Sequence, residues 1–531
     1  MKKSRIFTMA LATILCFSLI GCGGKTSASD KSKGNTTPVE EKKVDGGEFI
    51  IPMPGDVPNL NPLISTSKEG VIMMNPIYDP LFMSNSNGTR YYLAEKYEIS
   101  KDNLSVTIKL RDNIKWHDGV SITSDDVIFT VESILDESKG IRFTNTVKVN
   151  GEPIKAVKVD DRTVRFELPS VSAPFITLIG KLNIIPRHIY EGESDIAKSE
   201  KSNIGIGSGP YKVKEWRRGE SLSLERYEDY HMGKPSIEKV IFKIVPDQSA
   251  QEMGLQNKEL SMREINDDTK HDKYEKDNNY NVYSYEEGRV NYMAFNYNSE
   301  LMKNPKAREA IASALNVDDI VKGAYGSKRV AMAANSCFAP TAYFYDEKIE
   351  NYKQDLEKSK KLIEESGLSG KTIKLIYNSN RGNQENTALI IQQQLKDVGI
   401  NVEVIQYETQ SFFDKFRSHQ DDYELGLNGF PSPDEPDSFK AMFITGGASS
   451  KNVYSSPEAD TLWKAGVIEM DKVKREEIYK KLQKQIKDDF TIFPIAYPNF
   501  SMATQSKFKG LDEIKAIPIF EDYTKLYMVG K

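Results

Sequence analysis

Residues 93–130 read LAEKYEISKDNLSVTIKLRDNIKWHDGVSITSDDVIFT, and no other stretch restricts the fold as tightly. Within it, Val106, Ile108 and Leu110 fall on one side and Ser105, Thr107 and Lys109 on the other, the period-two alternation of a strand with one buried face. Trp116-His117-Asp118-Gly119 then makes a turn. Thr123, Ser124, Asp125 and Asp126 offer hydroxyl and carboxylate caps to a helix that begins near Val127.

Ahead of this unit, Lys2, Lys3 and Arg5 precede an apolar stretch over 6–20 and then Leu19-Ile20-Gly21-Cys22. That apolar run is too short to span a membrane and stay there, so 1–21 is expected to be a secretory signal. Cys22 directly after Leu-Ile-Gly resembles a bacterial lipobox, which implies a diacylated cysteine at the mature N-terminus. Residues 22–45, rich in Gly, Ser, Thr and Lys, predict a flexible tether. Two acyl chains suffice for stable anchoring.

Three cysteines are present, Cys16, Cys22 and Cys337. With the first removed and the second lipidated, Cys337 stands alone and stability must come from the core. About 490 residues follow the tether, more than one lobe usually holds. The net charge of -5 and the lack of a basic stripe exclude nucleic acid as a partner, while 26 tyrosines supply apolar area and hydroxyls suited to a ligand surface.

Further along, alternation predicts strands at 163–168 and 221–225. Asn304 and Pro305 start a helix with Ala307, Ala310, Ile311, Ala314 and Leu315 on one face. A helix near 385–398 presents Leu389, Ile390, Ile391 and Leu395, stops at Gly399 and feeds a strand over 400–404. Another, over 474–489, repeats Ile478, Leu482 and Ile486. Alternating helices and strands imply an α/β lobe.

The 93–130 run, Pro58-Asn59-Leu60-Asn61-Pro62, Ile77-Tyr78-Asp79-Pro80-Leu81, Gly207-Ser208-Gly209-Pro210-Tyr211, 304–315 and 388–404 together resemble, in order and spacing, the family 5 extracellular solute-binding proteins. These are peptide-binding receptors of ABC importers. The resemblance implies an α/β, two-lobe, periplasmic-binding-protein-like fold of the class II type with an extra N-terminal subdomain. Lobe I would comprise 46–65, 185–286 and 506–531, the inserted subdomain 66–184, and lobe II 287–505. The chain would cross between lobes near 290–296 and 497–504, forming a hinge for rigid-body closure.

Catalysis finds little support in the residues. His117, His188, His231, His271 and His419 form no His-Glu-x-x-His or Cys/His cluster. Gly207-Ser208-Gly209 lacks the hydrolase elbow pattern, no phosphate-cradling loop is present, and His117-Asp118 reads as a turn element. No enzyme activity, cofactor or metal is expected.

For binding, the resemblance places Asp56, Val57 and Asn59 on the cleft from lobe I, with Phe143 as the aromatic beside them. From lobe II come Asn380 and Arg381 on the loop after a strand, then Gln410 and Arg417. Arg381 or Arg417 could fork onto a ligand carboxylate. Phe430, Ser432 and Asp434 follow, and where relatives that grip a free peptide N-terminus have an aspartate, this chain has Ser432. A hydroxyl cannot neutralise the ligand ammonium, so either Asp434 substitutes or a free N-terminus is not read. At 255–261 the Gly and Asp common in the family are replaced by Lys258 and Ser261, which bears on turn geometry only.

The expectation is a monomeric, lipid-anchored extracytoplasmic lipoprotein. It captures an oligopeptide and delivers it to an ABC permease driven by separate ATPase subunits. Rival readings are a receptor for a nickel chelate or oligosaccharide, a peptide-sensing surface receptor and, behind these, a surface hydrolase.

Overall fold

The alternation in 104–110 becomes a strand, Ser105–Leu110, with Val106, Ile108 and Leu110 buried. The computed structural model describes residues 42–530 apart from 86–87, 142–145, 418–421, 433, 448–453 and 513–519. Ser105–Leu110 lies between Ala94–Ile99 and Thr163–Glu167, with Lys155–Asp160 beyond, all antiparallel. The following helix, Ser124–Leu135, starts ahead of Val127 because the Asp126 carboxylate accepts the Thr123 N–H at 2.9 Å and makes Thr123 the cap. Trp116, Phe166 and Phe175 fill the space between sheet and helices.

A second sheet runs Tyr211–Arg217, Ser221–Arg226, Lys239–Ile244, and then Glu48–Met53 parallel to the last. Three of the sequence blocks converge where it meets the first. Gly209 N donates to Ile77 O at 2.8 Å and Asp79 N to Ser208 Oγ at 3.1 Å. A Cβ at Gly207 would lie 2.0 Å from Ile77 O, so only glycine permits this approach. His117 locks the same turn: its Nδ1 accepts from Gly207 N at 3.2 Å and its Nε2 donates to Gly209 O at 3.0 Å. Burial pushes its pKa down to about 4, which keeps the ring neutral.

The expected tether ends early. Lys42–Val44 is a strand, antiparallel to Tyr527–Gly530, and Asp45 pairs with Arg226. The C-terminal strand has Phe508–Lys509 on one side only, and the N-terminal residues cover the other.

The largest sheet runs Met262–Ile265, Ile492–Gln505, Arg289–Phe295, Leu425–Pro431, Thr372–Asn378, Asn401–Tyr407, with Tyr280–Glu286 and Ala331–Ala333 also on Ile492–Gln505. Ile492–Gln505 belongs to two neighbourhoods: its residues 492–496 pair with Arg289–Phe295 and its residues 499–505 with Tyr280–Glu286. The partner change therefore falls at 496–499, and on the other strand at 286–289, where Gly288 sits at φ +65°.

The helices follow their caps. Asn304 accepts from Lys306 N and caps Pro305–Ala314, while Leu315 is buried but already extended. Gly382–Lys396 ends before Gly399, whose φ of +89° only glycine adopts at little cost. Its expected apolar face is corrected at Leu389, which is 48% exposed. Ala388, Ile391 and Leu395 face the sheet, and Ile390 turns instead onto Gly323 of the neighbouring helix Val317–Tyr325. Lys472–Asp488 buries Leu482 and Ile486 as its spacing requires. Cys337 is free and buried, its thiol pushed up to about 12 by desolvation. Among the described residues no helix is long and apolar enough to cross a membrane.

Candidate ligand-binding cleft

Leu425–Pro431 pairs with Arg289–Phe295 along its whole length, from Leu425 opposite Phe295 to Pro431 opposite Arg289. On its other side the parallel strand Thr372–Asn378 meets it only at Leu425 and Gly426. Among the described residues, 427–431 thus carry an edge without a strand partner. Backbone groups on such an edge are completed by water or by another extended chain.

Charged and phenolic groups crowd this edge. Arg289 Nη2 donates to Gly429 O at 2.7 Å and Nε to Asn291 Oδ1 at 3.1 Å, and Asn291 donates to the Tyr325 hydroxyl at 3.0 Å. A Cβ at 429 would lie 2.3 Å from Asn291 Oδ1, so glycine makes room for this fan of side chains. Arg381 caps Gly382–Lys396 nearby, and its guanidinium has no hydrogen-bond or ion-pair partner among the described residues. Burial, and then repulsion by Arg289, lowers its pKa, while burial pushes the neighbouring Glu287 carboxyl up. Glu287 offsets part of the Arg381 charge, but a half-buried guanidinium with no hydrogen-bond partner among the described residues is suited to an anionic group such as a carboxylate.

Two cavities flank the short helix Lys68–Met74. One, of about 270 Å³, is lined by Lys68, Ile72, Met53, Met262, Met502 and Phe500. The other, of about 240 Å³, is lined on the opposite side by Val71, Met74, Asn75, Asp79, Lys181 and Tyr523, among others. Each falls below the roughly 300–1,000 Å³ of a whole small-molecule site, a size for single side chains rather than an entire ligand.

With the cleft in view, comparison with known proteins places the chain. The sequence profile of the bacterial extracellular solute-binding proteins, family 5, matches residues 89–451. The chain belongs to that family. It is 27% identical to the oligopeptide-binding protein AppA of Bacillus subtilis (strain 168) over 96% of both chains. The ABC transporter substrate-binding protein CtaP of Listeria monocytogenes superposes with a TM-score of 0.87 and 36% identity, over 91% of this chain and 99% of that one. The Bacillus subtilis AppA structure in complex with a nonapeptide superposes at 0.75 with 25% identity, over 92% and 100%. The fold is accordingly the two-lobe α/β architecture of family 5, and the protein is a substrate-binding protein rather than an enzyme.

Within this family fold the residues singled out from sequence separate into groups. Arg381 stands at the open edge. Asn380 turns away from it, donating to Glu408 and Thr409 at 3.0 and 3.1 Å. Gln410 donates to Asp414 at 2.9 Å on an exposed helix face, and Arg417 stacks over Phe413 at 4.7 Å. Asp56 accepts from Val57 N, Trp216 Nε1 and Gly219 N, which ties it to the Tyr211–Arg226 hairpin. Val57 is in the core, and buried Asn59 accepts from Asn61 N and the Ser65 hydroxyl. Phe430 is packed edge-on against Tyr292 and Phe443. Phe143 and Cys22 lie outside the described residues.

Ser432 is fully buried. Its Oγ accepts from Ala339 N at 3.0 Å and its N–H donates to Gly288 O at 2.7 Å, so it ties the strand end to the crossing segment. Asp434 pairs with Lys181 Nζ at 2.9 Å and, through its backbone O, accepts from Tyr343 N. Sequence reading missed Arg289, Glu287 and Lys181. The first two flank Gly288 beside an expected crossing, a charge pair around a flexible residue that could have drawn notice. Lys181 acquires meaning only through its contact with Asp434.

Proposed function

We propose that the protein is the lipid-anchored extracytoplasmic receptor of an ABC importer and that its ligand is an oligopeptide. The open edge at 427–431 carries this reading, because an extended peptide can complete it by strand addition while side chains enter separate compartments. Arg381 would receive a ligand carboxylate, and the two cavities would take side chains. The peptide-binding names of the relatives AppA and its nonapeptide complex support the same substrate class. Lobe I and the inserted subdomain would close on lobe II about the 286–289 and 496–499 crossings. Ligand that touches both sides only in the closed state then favours closure by that difference in affinity.

With Ser432 buried and Asp434 neutralised by Lys181, neither is free to grip a terminal ammonium. The receptor therefore reads backbone and side chains rather than a free N-terminus. Native mass spectrometry of the full chain, purified without denaturation, should release a ladder of peptides with varied N-termini. Non-peptide ligands would overturn the substrate class. Membrane anchoring is checked separately: Cys22→Ser should move the protein from the membrane fraction to the medium or periplasm.

A further inference from the structure

The cavity of about 240 Å³ beside Lys68–Met74 differs from an ordinary packing void in the chemistry of its walls. Voids left by imperfect packing are apolar and stay empty. Here three residues that line one space each carry a buried polar atom without a hydrogen-bond partner: Asp79 Oδ2, Asn75 Oδ1 and the Tyr523 hydroxyl. Asp79 is only 3% exposed and Tyr523 2%. Leaving such groups unmatched costs about 1–3 kcal/mol each, so a fold that gathers them around a cavity points to something that completes them.

The other half of the Asp79 carboxylate is already used, since the Tyr230 hydroxyl donates to Oδ1 at 3.1 Å. His231 Nε2 lies 3.7 Å from Oδ2, but it bonds Tyr92 O at 3.1 Å and burial holds its pKa near 4, so it is neutral and directed elsewhere. Of the nearby cations, Arg90 is paired with Asp522, Arg111 donates to the Tyr91 and Tyr92 carbonyls, and Lys181 is paired with Asp434. None of them completes Asp79. The remaining lining mixes apolar surface, chiefly Val71, Met74, Met83 and Phe520, with the polar and charged Asn183, Lys181, Glu521 and Asp522. Lys181, which lines the cavity, also meets Asp434 just past the end of the open strand, so one side chain links the two.

We infer that this cavity is a compartment for a basic side chain of the bound peptide, its methylene stem along the apolar walls and its cationic tip on Asp79 and Asn75. The inference rests on the peptide reading above. A long side chain with an aliphatic stem and a charged head matches apolar walls over an acidic floor, whereas an apolar side chain would leave the floor unmatched. The compartment would also restore some of the charge recognition that Ser432 cannot provide.

The test is titration calorimetry with hexaalanine peptides in which a single lysine, or a single norleucine of the same stem length, is walked through the positions. At one position lysine should bind about tenfold or more tighter than norleucine. Asp79→Asn, which keeps the acceptor for Tyr230, should abolish that preference and leave the norleucine peptide within about twofold of its original affinity. Tyr523→Phe, a milder change, should reduce the preference in part and guards against misfolding of the first variant.

An independent readout is proton release. Burial raises the Asp79 pKa to about 8, so the empty site holds a proton at neutral pH and should surrender it when an ammonium arrives. The binding enthalpy of the lysine peptide should then depend on the buffer, and that of the norleucine peptide should not. If peptides bind but no position distinguishes lysine from norleucine, or the preference survives in Asp79→Asn, the cavity holds only water and the inference fails by itself. If no peptide binds at all, the peptide reading fails with it.

Discussion

Lys258 occupies the left-handed backbone region at φ +64°, at the position where the family commonly has glycine. A β-carbon there costs about 1–2 kcal/mol, partly offset by the greater entropy a glycine loses on folding. Lys258→Gly should therefore raise stability by about 1 kcal/mol, readable as a higher urea midpoint with an unchanged slope. The companion departure, Ser261, is compensated in place: its hydroxyl accepts from Ile50 N at 2.9 Å. The two substitutions thus differ in kind. One imposes backbone strain, while the other keeps an acceptor where the turn needs it.

At the scale of elements, the site depends on where one strand stops. Thr372–Asn378 leaves its neighbour after Gly426, and the outward-facing carbonyls and amides beyond become available, apart from Gly429 O, which Arg289 occupies, and Pro431, which has no N–H. If an oligopeptide pairs there, methylating a ligand backbone nitrogen that faces 427–431 should cost about 1 kcal/mol or more per bond, whereas methylating one that faces away should cost little. Calorimetry with a methylated series would show the alternation, and a flat response would exclude strand addition. The loop that follows is held by a buried pair: Arg475 forks onto Glu435 at 2.7 and 3.1 Å and its Nε donates to Gly466 O at 2.8 Å. Arg475→Ala would leave Glu435 buried and uncompensated, an expected loss of about 3–5 kcal/mol in chemical denaturation.

Over the whole molecule, the segment 66–184 touches 287–505 at several points, two of them the Lys181–Asp434 pair and Ala173 N donating to Val467 O at 2.8 Å. Both contacts would be lost on opening. The ion pair is partly exposed and so contributes at most about 1 kcal/mol. Asp434→Asn should accordingly expand the ligand-free protein in small-angle scattering and weaken ligand binding only a few-fold. Stability should also follow pH in a definite way. His117 and His231 have folded pKa values near 4 against 6.5 unfolded, so between these the unfolded chain binds more protons and stability rises with pH. Asp79 acts in the opposite sense, because its folded value near 8 lies above 3.8 and its contribution falls as pH rises through that window. Taken by themselves the two histidines outweigh Asp79 up to about pH 6.5, and the Asp126, Glu287 and Glu435 carboxyls, which burial also raises, act in the same sense as Asp79, so the melting temperature should peak no higher than about pH 6.5. Asp79→Asn should flatten the alkaline side.

What could be read without coordinates was whatever neighbours in the chain decide. The alternation in Ser105–Leu110, the Asn304 cap and the stop at Gly399 depend on residues a few positions apart, and each lies where its spacing placed it. The linear order of motifs likewise sufficed for the family and hence the two-lobe fold. Among the site candidates, Arg381 emerges at a strand-to-helix turn, a position local sequence fixes, and there feels the charges of Arg289 and Glu287. Side-chain direction is a different matter, since it is settled by partners far along the chain. Ser432 was read as facing a ligand, but Ala339 and Gly288 claim it, and Asp56 is claimed by the hairpin at Trp216 and Gly219. Asp79, Asn75 and Tyr523 share no local pattern. They border one cavity only because the fold returns residue 523 to the helix at 68–74, and a polar atom counts as unmatched only once everything packed around it is known.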